Sequence, residues 1–209
     1  MASLTIDVIS DVVCPWCYIG VHRLETAMRL FDAPVDYTLR FHPYLLDASV
    51  PDEGELIAER IRARYRTDPE AMFDSVNEAA RESSLDLDIR KQPRTYPTVK
   101  AHTLLRLAVA HDAQLAVAHA LFRTHFVDAG NIADLATLVA IGTGAGLDAE
   151  FVASALSNEN ALAQTRSEAA RLAEGGIRGV PFFLFGGKVT VSGAQTAPSL
   201  MQAMRQVIG

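Results

Sequence analysis

The sequence predicts an α/β fold in which a β-α-β unit and an α-β-β-α unit share one sheet, with a large all-helical insertion between them. Near both ends of the chain, apolar and polar residues alternate in short runs, as expected for strands with one buried face. Between residues 51 and 158, apolar residues instead recur every three or four positions, which is typical of amphipathic helices. We therefore assign residues 1–50 and 159–209 to a sheet-bearing domain and residues 51–158 to a helical insertion domain.

The first unit has the pattern of a strand, a helix and a second strand. Leu4, Ile6 and Val8 alternate with polar residues, which predicts the first strand. A helix follows, because apolar residues between positions 17 and 31 recur at spacings of three and four. Residues 35–42 alternate again and predict a second strand, which a crossover helix would place parallel to the first.

Capping and turn residues mark the remaining elements. Asp68 followed by Pro69 predicts the start of a helix, since Asp accepts hydrogen bonds from the first helical turn and Pro lacks an N–H that this turn leaves unpaired. The Gly-Gly pair at 175–176 predicts the end of another helix. A second Gly-Gly pair, at 186–187, joins the runs "VPFFLF" and "KVTVS" in a hairpin, and residues 196–198 open a final helix.

Composition and charge exclude several classes of protein. The 209 residues are 49% hydrophobic, which is enough for a core without disulfide or metal staples. With 19 basic and 25 acidic residues and no run of basic residues, the sequence lacks the signature of a nucleic-acid-binding domain. It also shows no secretory signal and no stretch apolar enough to span a membrane. We therefore expect a cytoplasmic protein that binds neither nucleic acid nor membrane; no pattern specifies its oligomeric state.

Both cysteines of the chain stand in the motif C-P-W-C, as Cys14 and Cys17. Cys14 falls where a strand ends and a helix begins, so the unpaired amides and the dipole of that helix would lower its pKa from about 8.5 toward 7 or below. Cys17, one turn further on the apolar face, would be the more buried, resolving thiol. Pro15 suits the first helical turn, and Trp16 would be exposed beside the pair, where it would contact a substrate.

The spacing C-x-x-C also occurs in zinc sites and in structural disulfides. A zinc site needs three or four protein ligands, and the sequence offers neither a second C-x-x-C nor an H-x(3–5)-H pair, so we expect no metal. A permanent disulfide is disfavoured in the cytoplasm. The favoured hypothesis is reversible exchange, in which Cys14 forms a mixed disulfide with the substrate and Cys17 resolves it. A zinc site and an inert pair of cysteines remain the less favoured alternatives.

The motifs of this chain resemble those of the thioredoxin superfamily. Four segments, "SDVVCPWCYIG", "AHTLLRLA", "GVPFFLF" and "VSGAQ", extend from residue 10 to residue 195 and together resemble DsbA-like oxidoreductases of the FrnE type. The resemblance implies a thioredoxin-like fold with a helical insertion and thiol–disulfide oxidoreductase activity, with disulfide isomerase activity as a further expectation. It also implies that the Val180–Pro181 bond is cis, lies against the cysteine pair and presents the backbone of Val180 to an extended substrate.

Glutathione-dependent relatives supply the alternative function. Kappa-class glutathione transferases and 2-hydroxychromene-2-carboxylate isomerase resemble the chain in fold but carry Ser where Cys14 stands, which favours dithiol exchange here. The DsbA-like family and the related glutathione-using isomerases usually have Asn-Thr where the present sequence has Pro97-Thr98. A polar group that faces the ligand is therefore expected to be missing. We expect no tightly bound cofactor. The expected partners are protein or small-molecule substrates that bear thiols or disulfides, with glutathione as a redox partner.

Four other polar residues near these motifs have ordinary structural interpretations. Asp11, three positions before Cys14, is expected to be a loop or capping residue more often than a proton relay. His42 ends the second strand, and His102 is expected to be exposed or hydrogen-bonded rather than to tune Cys14. Gln195 either caps the last helix or lines the cleft.

Overall fold

The structure, a computed structural model, describes residues 2–209 and is built around a four-stranded mixed sheet of order β2-β1-β5-β6. The strands are β1 (Ala2–Ser10), β2 (Val35–Pro43), β3 (Glu55–Leu56), β4 (Arg94–Thr95), β5 (Phe182–Phe185) and β6 (Val189–Ser192). The α-helices are α1 (Pro15–Leu30), α2 (Ile57–Tyr65), α3 (Pro69–Glu82), α4 (Val99–Leu107), α5 (Gln114–Phe126), α6 (Leu135–Gly144), α7 (Ala149–Leu156), α8 (Glu159–Glu174) and α9 (Ala197–Ile208). Two short 3-10 helices span Ile89–Lys91 and Ala108–His111.

The pairing of the strands confirms the predicted α/β fold. Strand β1 pairs in parallel with β2 and antiparallel with β5, and β5 forms an antiparallel hairpin with β6. Helices cover both faces of this sheet. On β2, Tyr37 contacts Met204 of α9 whereas His42 contacts Glu168 of α8, and side chains five positions apart on a strand lie on opposite faces.

Cross-strand apolar pairs form the centre of the core. Ile6 lies opposite Phe185, and Val8 lies opposite Phe183, and all four side chains are fully buried. Pairs of this kind, which share one face of the sheet, are the unit of sheet stabilisation. Because Phe183 also lies close to Gly20 of α1, this face of the sheet carries the helix that follows the cysteine motif.

The predicted ends of several helices are confirmed by their capping contacts. The Asp68 side chain accepts a hydrogen bond of 3.1 Å from the amide of Glu70, and Pro69 is the first residue of α3. Helix α8 ends before Gly175, and the side chain of Thr196 caps α9. The capping residues in the sequence therefore predicted these three helix boundaries correctly.

The regular elements within residues 51–158 are helices, apart from β3 and β4, which pair antiparallel in a separate two-stranded sheet. Strands of two residues are too short to show alternation, so the sequence pattern gave no sign of them. Arg23 of α1 donates hydrogen bonds to the Ser83 hydroxyl (2.7 Å) and to the Ala194 carbonyl (2.6 Å), which connects this segment to both ends of the chain. The division into two domains stays a prediction. Within residues 2–209, no helix has the length and hydropathy required to cross a bilayer.

Candidate active site

Cys14 is the residue immediately before α1, at the N-cap position. Its carbonyl accepts hydrogen bonds from the amides of Cys17 (3.0 Å) and Tyr18 (3.3 Å), while its own amide donates to the carbonyl of Asp11 (3.0 Å). Pro15 begins the helix, which it can do because the first-turn N–H groups have no intrahelical acceptors. The predicted position of Cys14 at the positive end of a helix is therefore confirmed.

Cys17 lies one turn deeper and is fully buried. Both cysteines are free thiols. Burial raises the pKa of the Cys17 thiol well above its ordinary value, and the hydrogen bond and charge of Cys14 raise it further. Cys14 is also buried but keeps 4% of its surface exposed, whereas Cys17 has none. Among residues 2–209, no group of three or more His, Cys, Asp and Glu side chains is arranged to hold a metal ion.

The loop before β5 brings Val180 and Pro181 against the cysteine motif. The bond between them is cis, as the resemblance implied. The Cys14 thiol lies 3.9 Å from the carbonyl oxygen of Val180. Pro181 packs directly on Gly20 of α1, where an added Cβ atom would lie 2.7 Å from the proline Cγ. The absence of a side chain at Gly20 therefore permits the close approach of this loop to the helix.

A cavity of about 270 Å³ opens beside Cys14. Pro15, Trp16 and Val180 line it together with residues of α2 and α3. Trp16 is half-buried rather than exposed, because its ring also packs against the hydrophobic core. The structure thus brings Cys14 and these three predicted substrate-binding residues to one cavity, while Pro181 is buried behind them.

Behind the motif, Asp11 and His102 are both buried. His102 Nε2 lies 3.3 Å from Asp11 Oδ1, and the other carboxylate oxygen accepts a hydrogen bond of 2.8 Å from the amide of Leu46. The hydrogen-bonded alternative for His102 is therefore correct, and the exposed alternative is wrong. Thr98, which follows the departing Pro97 and matches the family pattern, is buried and lines the cavity.

A second buried histidine, His125 on α5, was not singled out by its sequence context. Burial lowers its pKa to about 4, although the charge of Asp11 and the carbonyl of Gly130 oppose this shift. Its Nε2 atom makes no hydrogen bond to any residue in the range 2–209. The burial of His125 could have been predicted from its position among apolar helical residues, since it directly precedes the buried Phe126.

The remaining predicted polar residues serve structural contacts. His42 Nε2 lies 2.9 Å from Asp7, and its Nδ1 lies 3.1 Å from Glu168, so this ring connects β1 with α8. Gln195 is exposed, and its side-chain amide donates a hydrogen bond of 3.0 Å to the carbonyl of Ser192. Neither side chain lines the cavity beside Cys14.

Comparison with known proteins agrees with this geometry. The family model of the DSBA-like thioredoxin domain matches residues 5–205, whereas no curated protein sequence matches the chain. A crystal structure named as a probable DsbA oxidoreductase, from Streptomyces coelicolor, is 31% identical, with a TM-score of 0.84 over 97% of this chain and 89% of that chain.

Two more distant structures share the fold. The cytosolic disulfide reductase DsbM from Pseudomonas aeruginosa, solved with GSH, is 18% identical with a TM-score of 0.64 over 95% of this chain and 93% of that one. The 2-hydroxychromene-2-carboxylate isomerase is 17% identical with a TM-score of 0.71 over 97% and 95%. Membership of the FrnE type stays a prediction. Because the family model and the Streptomyces relative both cover nearly the whole sequence, the chain belongs to the DSBA-like thioredoxin domain family.

Proposed function

We propose that the protein catalyses dithiol–disulfide exchange through Cys14 and Cys17. The observation that carries this proposal is the difference between the two sulfurs. Cys14 stands at the N-cap position of α1 and lines the cavity, whereas Cys17 is fully buried one turn deeper, with a raised pKa. The first arrangement suits a thiolate that attacks substrate, and the second suits a thiol that reacts only with its neighbour.

The exchange conserves atoms and electrons. The Cys14 thiolate attacks one sulfur of a substrate disulfide, whose S–S bond breaks, and the departing sulfur takes up a proton. Cys17 then loses its proton and attacks the Cys14 sulfur, which releases the second substrate thiol and leaves a disulfide in the protein. Two electrons pass from the protein to the substrate, and the reverse sequence oxidises a substrate dithiol. When a substrate thiol attacks the mixed disulfide before Cys17 does, the result is isomerisation without net electron transfer.

The neighbours of Cys14 have defined roles in this proposal. Trp16 and Pro15 line the cavity and contact the bound substrate. Val180, whose carbonyl lies 3.9 Å from the Cys14 thiol, offers its backbone to a substrate segment that pairs as an added strand. Pro181 holds that backbone in place through its contact with α1.

Glutathione is the small-molecule redox partner in this proposal. DsbM, which shares the fold, was solved with GSH. The alternative function, a glutathione-dependent isomerase or kappa-class-like transferase, would use the same cavity to bind glutathione without disulfide turnover. The Cys17→Ser variant distinguishes dithiol exchange from the alternative function. Glutathione binding that persists in this variant without disulfide turnover would support the alternative.

The test compares the wild type with Cys14→Ser and Cys17→Ser in the reduction of insulin by dithiothreitol and in an oxidised glutathione buffer. We expect catalysis by the wild type only. After alkylation and mass spectrometry, Cys17→Ser should retain a mixed disulfide with glutathione at Cys14, and Cys14→Ser should retain none. A wild type no more active than Cys14→Ser in both assays would rule out dithiol exchange.

A further inference from the structure

The cavity beside Cys14 is walled mainly by apolar side chains of α2 and α3. Ile61 of α2 and Phe73 and Val76 of α3 line it, together with Met72 on the same face of α3. Cys14 also lines this cavity. A group that reaches the sulfur from this cavity therefore loses its contact with water and gains apolar neighbours, which favours an apolar group.

The charged residues that line the cavity are already paired. Arg60 forms ion pairs with Asp47 and Glu55, and Arg64 forms one with Asp47. Although burial opposes the shift, hydrogen bonds from Ser49 and the interaction with Arg60 lower the pKa of Asp47, which keeps this carboxylate ionised. These charges balance one another, so the cavity has no excess charge for binding an ionic substrate.

The remaining acidic group is occupied as well. Asp11 lines the cavity, but its two carboxylate oxygens already contact His102 and the amide of Leu46. The polar groups around the cavity thus hold the protein together, and selection of the occupant falls to the apolar wall.

The volume limits the size of the occupant. A dry apolar cavity of about 150 Å³ holds a benzene molecule, so about 270 Å³ accommodates one aromatic ring with a short chain. This is below the range of about 300–1,000 Å³ that is typical of sites for drug-sized ligands. A single ring-sized group fits inside the cavity, whereas several residues of a peptide cannot all enter it.

We propose that the substrate is a low-molecular-weight disulfide with an aryl-alkyl or similarly bulky apolar group, and that this group occupies the cavity while its sulfur reacts with Cys14. This rests on the proposed dithiol exchange and adds the substrate class. The reduced protein supplies both electrons: its two thiols become the Cys14–Cys17 disulfide, the substrate S–S bond breaks, and two molecules of the apolar thiol leave with the two protons.

The experiment measures single-turnover oxidation of the reduced protein by two disulfides whose alkyl thiols have similar acidity. These are di(2-phenylethyl) disulfide and bis(3-hydroxypropyl) disulfide. Acid quench, alkylation and mass spectrometry give the rates of oxidation. Each rate is divided by the rate at which dithiothreitol reacts with the same disulfide, which corrects for differences in chemical reactivity. We expect a normalised ratio of at least about 10 in favour of the phenylethyl compound, because tenfold corresponds to only a modest gain in binding.

Cavity-filling variants test the location. Val76→Phe and, at a half-buried position, Met72→Trp should each bring the ratio toward 1. Ser75→Phe adds the same ring on an exposed position of the same helix and should keep the wild-type ratio. Circular dichroism checks that each variant is folded.

Three results would overturn the proposal. In the first, the wild-type ratio is near 1 although both compounds oxidise the wild type faster than Cys14→Ser. Dithiol exchange would then stand, and the preference for an apolar substrate would be wrong. Unchanged ratios in both filled variants would place the apolar contact elsewhere. A mixed disulfide of a Phe-Cys peptide that reacts as fast as the phenylethyl compound would assign the cavity to a peptide side chain. Oxidation no faster than in Cys14→Ser for either compound would instead remove the proposed function itself.

Discussion

Asp11 and His102 form a side-chain contact of 3.3 Å in which each side chain is only 1% exposed. The pair lies directly behind the cysteine motif, since the carbonyl of Asp11 accepts the amide hydrogen of Cys14. A buried carboxylate is costly unless it is paired and hydrogen-bonded. The histidine therefore stabilises the loop from which Cys14 projects.

Replacement of His102 by Leu should destabilise the protein. The Asp11 carboxylate would remain buried without its partner, and such a change costs about 3 kcal/mol or more. His102→Gln keeps a side-chain N–H that can donate to Asp11 and should lose less. Urea unfolding at neutral pH measures both values. If the free energy of unfolding of both variants lies within about 0.5 kcal/mol of the wild-type value, the pair contributes little to stability.

The buried His125 should make the protein less stable in mild acid. Its pKa is about 4 in the folded chain, against an ordinary value of 6.5. The unfolded chain therefore takes up the proton first as the pH falls, and the free energy of unfolding drops between these two pH values by about 3 kcal/mol. Urea unfolding at a series of pH values should show this drop in the wild type and a flatter profile in His125→Phe.

An exposed histidine provides the control for that measurement. His111 ends a short 3-10 helix at the surface, so His111→Gln should follow the wild-type profile. If His125→Phe loses stability as steeply as the wild type in mild acid, the protonation of His125 does not account for the effect.

Gly20→Ala should disturb the contact between α1 and the loop that carries Val180. The new methyl group would lie 2.7 Å from Pro181 Cγ and 3.3 Å from Phe183 Cζ. Alanine gains about 1 kcal/mol in helix propensity, but overpacking costs about 1–3 kcal/mol. We expect a net loss of stability and slower disulfide exchange, measured by thermal unfolding and insulin reduction.

Gly144→Ala is the matched control, because this glycine is also helical and has open space where the methyl group would lie. Its unfolding temperature should equal or exceed that of the wild type. The free energy of unfolding should rise by at most about 1 kcal/mol. Equal effects of the two substitutions would contradict the tight contact at Gly20.

The two thiols should differ in their reaction with iodoacetamide. In Cys14→Ser the remaining Cys17 is fully buried and has a raised pKa, so at about pH 8 only a small fraction is thiolate. In Cys17→Ser the remaining Cys14 lines the cavity. We expect Cys14 to react at least about tenfold faster, and denaturant to abolish the difference. Mass spectrometry against time gives both rates, and equal rates in the folded variants would contradict the assignment of roles.

Local patterns in the sequence predicted most of the fold and the placement of the cysteine pair. The position of Cys14 before α1 followed from alternation that ends at residue 10 and helical spacing that begins at Cys17. The Gly-Gly pair at 186–187 predicted the hairpin of β5 and β6. Such features depend on neighbours within a few positions, which a sequence displays directly.

The contacts that the sequence did not predict join distant parts of the chain. Asp11 and His102 are 91 positions apart, and no local pattern marks them as partners. The cavity beside Cys14 likewise combines the motif with α2 and α3. Its apolar residues had the same spacing as core residues, so only the tertiary structure separates those that face the cavity from those that face the interior.

A backbone neighbour of the Cys14 sulfur comes from a distant part of the sequence. Val180, whose carbonyl lies 3.9 Å from the Cys14 thiol, is separated from it by 166 positions. At about 5–20 residues per second, a ribosome needs on the order of 10–30 s to translate that interval. During this time the nascent chain carries Cys14 without the loop that later lies against it. The surroundings of Cys14 are therefore completed only after these 166 further positions have been translated, so this part of the structure forms later than the helix that begins beside Cys14.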